Sequence, residues 1–181
     1  YHTMIDDSVE ELLKNEGHWR IVDCPEPALI HSGYRPEELA SGNKAERLRW
    51  AMEAELQAHP GDPYACAKLG GLEIESGNRS RGLELLQQGL QQCRPEQHNE
   101  RYELLLHLGI ARRQDDLAEA ERCYRQALEQ PLAARVNAGA RLNLGALLLR
   151  QNRLDEAAAI TEAVTRQAPE LVLGWYNLGL I

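Results

Sequence analysis

Six histidines (His2, His18, His31, His59, His98 and His107) and four cysteines (Cys24, Cys66, Cys93 and Cys123) are the obvious chemical side chains of this 181-residue sequence. Metal binding and thiol redox chemistry need such groups clustered, as in a close Cys pair or two His one helical turn apart. Here they stand singly, so the thiols read as reduced groups filling core gaps in a cytoplasmic protein. The sequence has no Gly-rich phosphate loop, no His-Glu-x-x-His helix and no nucleophile elbow. Carboxylates alternate with basic residues, as in Glu119-Ala120-Glu121-Arg122, the pattern of a solvated face laced with ion pairs. The chain is therefore expected to carry no catalysis, no metal and no cofactor of its own. Asn143 and Asn177 are of another kind. They stand in Leu-Asn-Leu-Gly and Tyr-Asn-Leu-Gly, and an amide can pair with both the N–H and the C=O of an extended backbone.

The net charge is −8 with the signs interspersed, so no basic face is available for nucleic acid. No apolar run approaches the length of a membrane span, and no membrane partner is expected. Phe is absent, and Leu and Ala carry the apolar content, which favours helices packed closely through small residues.

A Leu-Gly pair recurs at Leu69-Gly70, Leu108-Gly109, Leu144-Gly145 and Leu178-Gly179, with the glycines 39, 36 and 34 residues apart. Each complete copy continues through a turn into a second helix of small residues and Leu. The third is cleanest, with a turn at Asn152-Arg153-Leu154, Ala157 after it and Pro169 at its close. The second, with Ala120, Tyr124, Ala127 and Leu128, has one residue fewer in its turn; the first has Gly82, Leu86, Gly89 and Leu90. The Gly, and later the Ala or Gly, belong where two helices approach too closely for a larger side chain. Asp62-Pro63 reads as an N-cap with proline at the first helical position. Gly77-Asn78 reads as a stop and turn, and Pro131 and Pro169 as breaks. Asn43 with Glu46 starts a helix that runs to about Ala58 and covers the first pair.

In these residues the chain resembles the tetratricopeptide repeat family over roughly residues 62–181. The resemblance implies an all-α antiparallel helix-pair solenoid of about three and a half repeats, a non-catalytic scaffold for a protein or peptide partner. Thr161 departs from it, standing where an aromatic is usual. Trp175, Tyr176, Leu178 and Leu180 have no following helix to cover them, which implies further repeats or self-association through this open C-terminal end.

Residues 1–42 differ from the helical repeat domain expected over 43–181. Ser8 with Glu11 caps a short helix ending near Gly17, and 19–22 and 28–31 read as two short strands around Pro25-Glu26-Pro27. The segment reads as the tail of an upstream α/β domain, so the chain reads as a piece of something longer. The run Ile30-His31-Ser32-Gly33-Tyr34, with Lys44, Arg47, Pro60, Asp62-Pro63-Tyr64 and Leu69-Gly70, resembles the junction in bacterial family-2 glycosyltransferases where a nucleotide-sugar domain meets tetratricopeptide repeats. That resemblance implies an acceptor-recognition arm, with His31 and Tyr34 as a vestige of the nucleotide-sugar site.

In the solenoid the resemblance implies, the first helix of each pair lines a concave groove. The groove residues are then Lys68, His107, Asn143 and Asn177 immediately before the leucine, with Leu142 and Tyr176 before those and Ile110 and Arg113 beyond. The Lys-and-Asn clamp of chaperone-binding repeats is missing. Superhelices attached to protein-modifying sugar transferases use an asparagine ladder like that of Asn143 and Asn177.

Overall fold

The computed structural model describes residues 12, 14–18, 20 and 43–181. The chain divides into two compact units, Tyr1–Ser41 and Gly42–Ile181. In the first, Leu12, Lys14 and Asn15 are helical and Gly17 and His18 form a turn, where the sequence ends its first helix. Of the strands expected at 19–22 and 28–31 only Arg20 is described, and it is not in a strand; the rest of both lies outside the described residues, as do His31, Tyr34 and Cys24. Among the described residues there is no strand, and no helix is long and apolar enough to cross a membrane.

The second unit is helical throughout: α1 Asn43–Ala58, α2 Pro63–Glu75, α3 Arg79–Gln92, α4 His98–Arg112, α5 Leu117–Leu128, α6 Ala138–Arg150, α7 Leu154–Gln167 and α8 Val172–Gly179. Helices pair as α2 with α3, α4 with α5 and α6 with α7, while α2 packs on α4, α4 on α6 and α6 on α8. First helices of successive pairs thus form one layer, and second helices the other.

Local chemistry sets the boundaries. Asp62 Oδ1 accepts from the Ala65 N–H at 2.8 Å, capping α2 ahead of its leading proline. The turn after α2 places Gly77 at φ +87°, with Gly77 N–H donating to Ile74 C=O and Asn78 N–H to Glu73 C=O. The turn after α6 repeats this with Asn152 at φ +59°. In both, a left-handed residue lets two orphan helix carbonyls find donors. The turn after α4 is different. Residues 113–116 separate α4 from α5, against three residues in each of the other two turns. The sequence expectation of a shorter turn is thus corrected: α4 itself stops three residues after Gly109, whereas α2 and α6 run five past their glycines. No described residue there takes positive φ, so the helix unwinds early instead of closing on a left-handed residue.

The first three Leu-Gly glycines are points of close approach, as are Gly82 and Gly89 on α3. A Cβ on Gly70 would stand 2.7 Å from Leu86 Cγ, and one on Gly145 2.7 Å from Thr161 Oγ1; one on Gly109 would meet the Tyr124 ring. Leu86, Tyr124 and Thr161 are all fully buried and hold the same place in successive pairs. Cys66, Cys93 and Cys123 are buried free thiols, all three packed with Leu86, Leu104 and Leu108 between the first and second pairs. Burial, with Asp62 adding to it, pushes the Cys66 thiol up to about 11, which leaves almost no thiolate at neutral pH.

α1 closes the first pair from outside. Leu56 packs against the core that contains Cys66 and Leu86. Arg49 pairs with the fully buried carboxylate of Glu73, which also accepts from Asn78 Nδ2 at 2.9 Å and lies 3.8 Å from Arg81. Arg81 in turn pairs with Glu53 at 2.8 Å.

Candidate functional site

Helices α2, α4, α6 and α8 present the residues that the sequence assigns to a groove. Lys68 on α2 is already engaged. Its Nζ lies 2.6 Å from Glu103 Oε2 on α4 and 5.3 Å from the Tyr64 ring centroid. Both partners are about one-third exposed, so the pair is screened and adaptable rather than rigid. His107, the next position along, rests its imidazole on Gly71: a Cβ there would lie 2.8 Å from His107 Cε1. Burial pushes the His107 pKa down, Glu103 and Glu75 pull it up, and Lys68 adds to the push, with a net lowering. His107 is therefore held neutral at pH 7.

On α4 and α6 the picture changes. Ile110 is half-buried against the core formed by Tyr124, Leu144 and Leu148, and Leu142 is half-buried on α6. Arg113 is exposed at the end of α4. Arg113, Asn143, Ala146, Leu147 and Arg150 line a shallow pocket of about 110 Å3. Asn143 Nδ2 donates to the Gly139 carbonyl one turn back at 2.9 Å, which leaves its second N–H and its carbonyl uncommitted. Arg150 Nη1 donates to the Arg113 carbonyl at 3.0 Å.

The two asparagines of the expected ladder are not equivalent. Asn143 is half-buried, whereas Asn177 on α8 is only 7 % exposed. Beside it Tyr176 is open to solvent, as are Val172, Leu173, Trp175 and Leu180. Trp175 donates its indole N–H to the Pro169 carbonyl at 2.9 Å, so its ring is oriented although exposed.

The structure therefore brings Lys68 beside His107 and Arg113 beside Asn143, and sets Tyr176 and Asn177 apart on α8. Sequence reasoning missed Glu103 and Arg150. Glu103 lies five residues before Leu108 and Arg150 six after Leu144, and the same helical face extends to both offsets. Among the described residues no group of three His, Cys, Asp or Glu side chains could hold a metal ion.

A "TPR repeat-containing protein" of Synechococcus elongatus is 40 % identical over 170 residues, which cover 93 % of this chain and 42 % of the relative. The chain thus spans less than half the length of that relative. A solved structure, that of MamA, superposes with a TM-score of 0.61 at 20 % identity, covering 84 % of this chain and 83 % of the other. The fold is a tetratricopeptide-like helical solenoid. No family model matches the chain. Neither relative's name mentions a sugar transferase, so the glycosyltransferase resemblance of residues 30–70 gains nothing from them. In a solenoid of this kind, stacked first helices make one continuous face out of residues about one repeat apart in sequence. Lys68 and Glu103 meet across 35 positions, and Arg150 and Arg113 across 37.

Proposed function

We propose that the face formed by α2, α4, α6 and α8 holds an extended segment of a protein partner and performs no chemistry on it. The observation that carries this reading is the run of polar groups along stacked first helices: half-buried Lys68 with Glu103, half-buried His107, then half-buried Asn143 beside the exposed Arg113. Such groups fix register and direction of a bound chain, while half-buried Ile110 and Leu142 beside them supply apolar contact. Asn143 can offer one amide N–H and one carbonyl to a peptide backbone.

The test is selection of binders from a random peptide library on the whole chain, followed by fluorescence anisotropy with variants. Asn143→Ala and Lys68→Ala are expected to weaken a selected peptide without changing the melting temperature. Binding that survives both substitutions unchanged removes the groove from the reading. The acceptor-arm form of this proposal rests on the residue pattern of 30–70 alone. It requires that selected peptides carry a hydroxyl or amide acceptor, and binders that lack both eliminate it.

A further inference from the structure

The pocket between α4 and α6 has a charge that the rest of the chain does not explain. The protein carries a net charge of −8, and its arginines are mostly matched with carboxylates: Arg49, Arg79, Arg81, Arg94, Arg122, Arg125, Arg135, Arg153 and Arg166 all form ion pairs. Arg113 and Arg150 stand at the pocket without an acid: neither forms an ion pair with a described residue, and no Asp or Glu lines the pocket. The main-chain carbonyl of Arg113 occupies one donor of Arg150, and a guanidinium has five. Both arginines end helices, where the dipole favours a cation, but that effect reaches no further than the last turn and does not bring them to a shared pocket with Asn143.

Resting on the peptide-holding reading above, we propose that this pocket binds the side-chain carboxylate of an internal Asp or Glu of the partner segment. The guanidiniums supply charge-assisted, two-pronged donors, and the free Asn143 N–H supplies a third. A volume of about 110 Å3 takes a carboxylate with a few waters. The site lies in the middle of the array, with α2 before it and α8 beyond, so an extended chain continues on both sides. That favours an internal residue over a chain terminus. Because the protein as a whole repels acidic ligands, selection rests on this local site rather than on long-range steering.

The experiment uses three fluorescein-labelled decapeptide pools that are random at all positions but one. The first has Glu at a fixed central position and an amidated C-terminus, the second Gln there and an amidated C-terminus, and the third Gln with a free C-terminal carboxylate. Anisotropy is read with the whole chain, with R113Q/R150Q and with R113E/R150E. Melting curves confirm that each variant is folded. The expected result is a preference of about tenfold for the Glu pool over the Gln pool, weakening as salt rises, abolished in R113Q/R150Q and reversed in R113E/R150E. Equal binding of the Glu and Gln pools overturns the carboxylate site while leaving the groove reading intact. A preference confined to the free-carboxylate pool overturns the internal side chain as the source. Failure of every pool to bind brings down the groove reading and this inference with it.

Discussion

Alanine in place of each Leu-Gly glycine separates two opposing effects whose balance the structure sets differently at each site. The substitution gains helix propensity of about 1 kcal/mol at an interior position. It also adds a methyl group, and overpacking a tight contact costs about 1–3 kcal/mol. At Gly109 the new Cβ would meet the buried Tyr124 ring at several carbons, including Cδ1 at 2.7 Å and Cζ at 2.9 Å. A ring cannot rotate out of that contact, so the net loss is about 1–2 kcal/mol, or about 2–8 °C in melting temperature for a chain of this size. Gly70 is comparable, because its Cβ would approach both Leu86 Cγ at 2.7 Å and the Gly82 carbonyl at 3.2 Å. At Gly145 the near neighbour is the Thr161 hydroxyl at 2.7 Å, a single group that turns about χ1. The net effect there is within about 1 kcal/mol of zero. At Gly179 nothing lies within 4 Å, so the substitution is neutral or stabilising. Urea unfolding of the four variants gives the order directly, provided the m-values agree. A Gly109→Ala protein as stable as Gly145→Ala would refute the claim that these glycines exist for helix contact.

Three further outcomes are expected. Arg49→Ala leaves the fully buried Glu73 with Arg81 and Asn78 only, and should cost about 2–3 kcal/mol; Arg49→Met with Glu73→Leu should recover most of that loss, and a double variant as unstable as the single would count against a buried ion pair. Asp62→Ala removes the cap of α2 and should cost about 1 kcal/mol, while Asp62→Asn should cost little, both read from thermal melts. His107 has its pKa held below the ordinary 6.5 by burial against the pull of Glu103 and Glu75, so the unfolded chain protonates first as pH falls. Its contribution to stability is therefore full above the unfolded value and is lost as pH falls from 6.5 toward the folded value; the gap in unfolding free energy between wild type and His107→Gln should narrow on acidification, and a pH-independent gap sinks this account.

Much of the fold was legible because it is written in local signals. The Leu-Gly spacing marked four first helices, Asp62-Pro63 marked the start of α2, and Pro131 and Pro169 follow the ends of α5 and α7. Asn43 to Ala58 came out as a helix with the expected limits. The turn after α4 was misread because residue counting cannot tell a shortened turn from a shortened helix; only the missing left-handed residue decides between them. The groove list placed Lys68, His107, Ile110, Leu142 and Asn143 on the first-helix layer, since offsets from the leucine give helix face. It treated Asn143 and Asn177 alike, and burial separates them.

The sequence by itself determined which residues form helices, where caps and breaks fall, and which side of each helix must carry small residues. Those are consequences of backbone sterics and of apolar spacing within a dozen residues. Tertiary structure decided which of the residues assigned to a groove are already engaged by neighbours. Lys68 is matched by Glu103, His107 is set down on Gly71, and Arg113 and Arg150 are left together without an acid. Each of those outcomes depends on a side chain about one repeat away, brought near only when successive helix pairs stack.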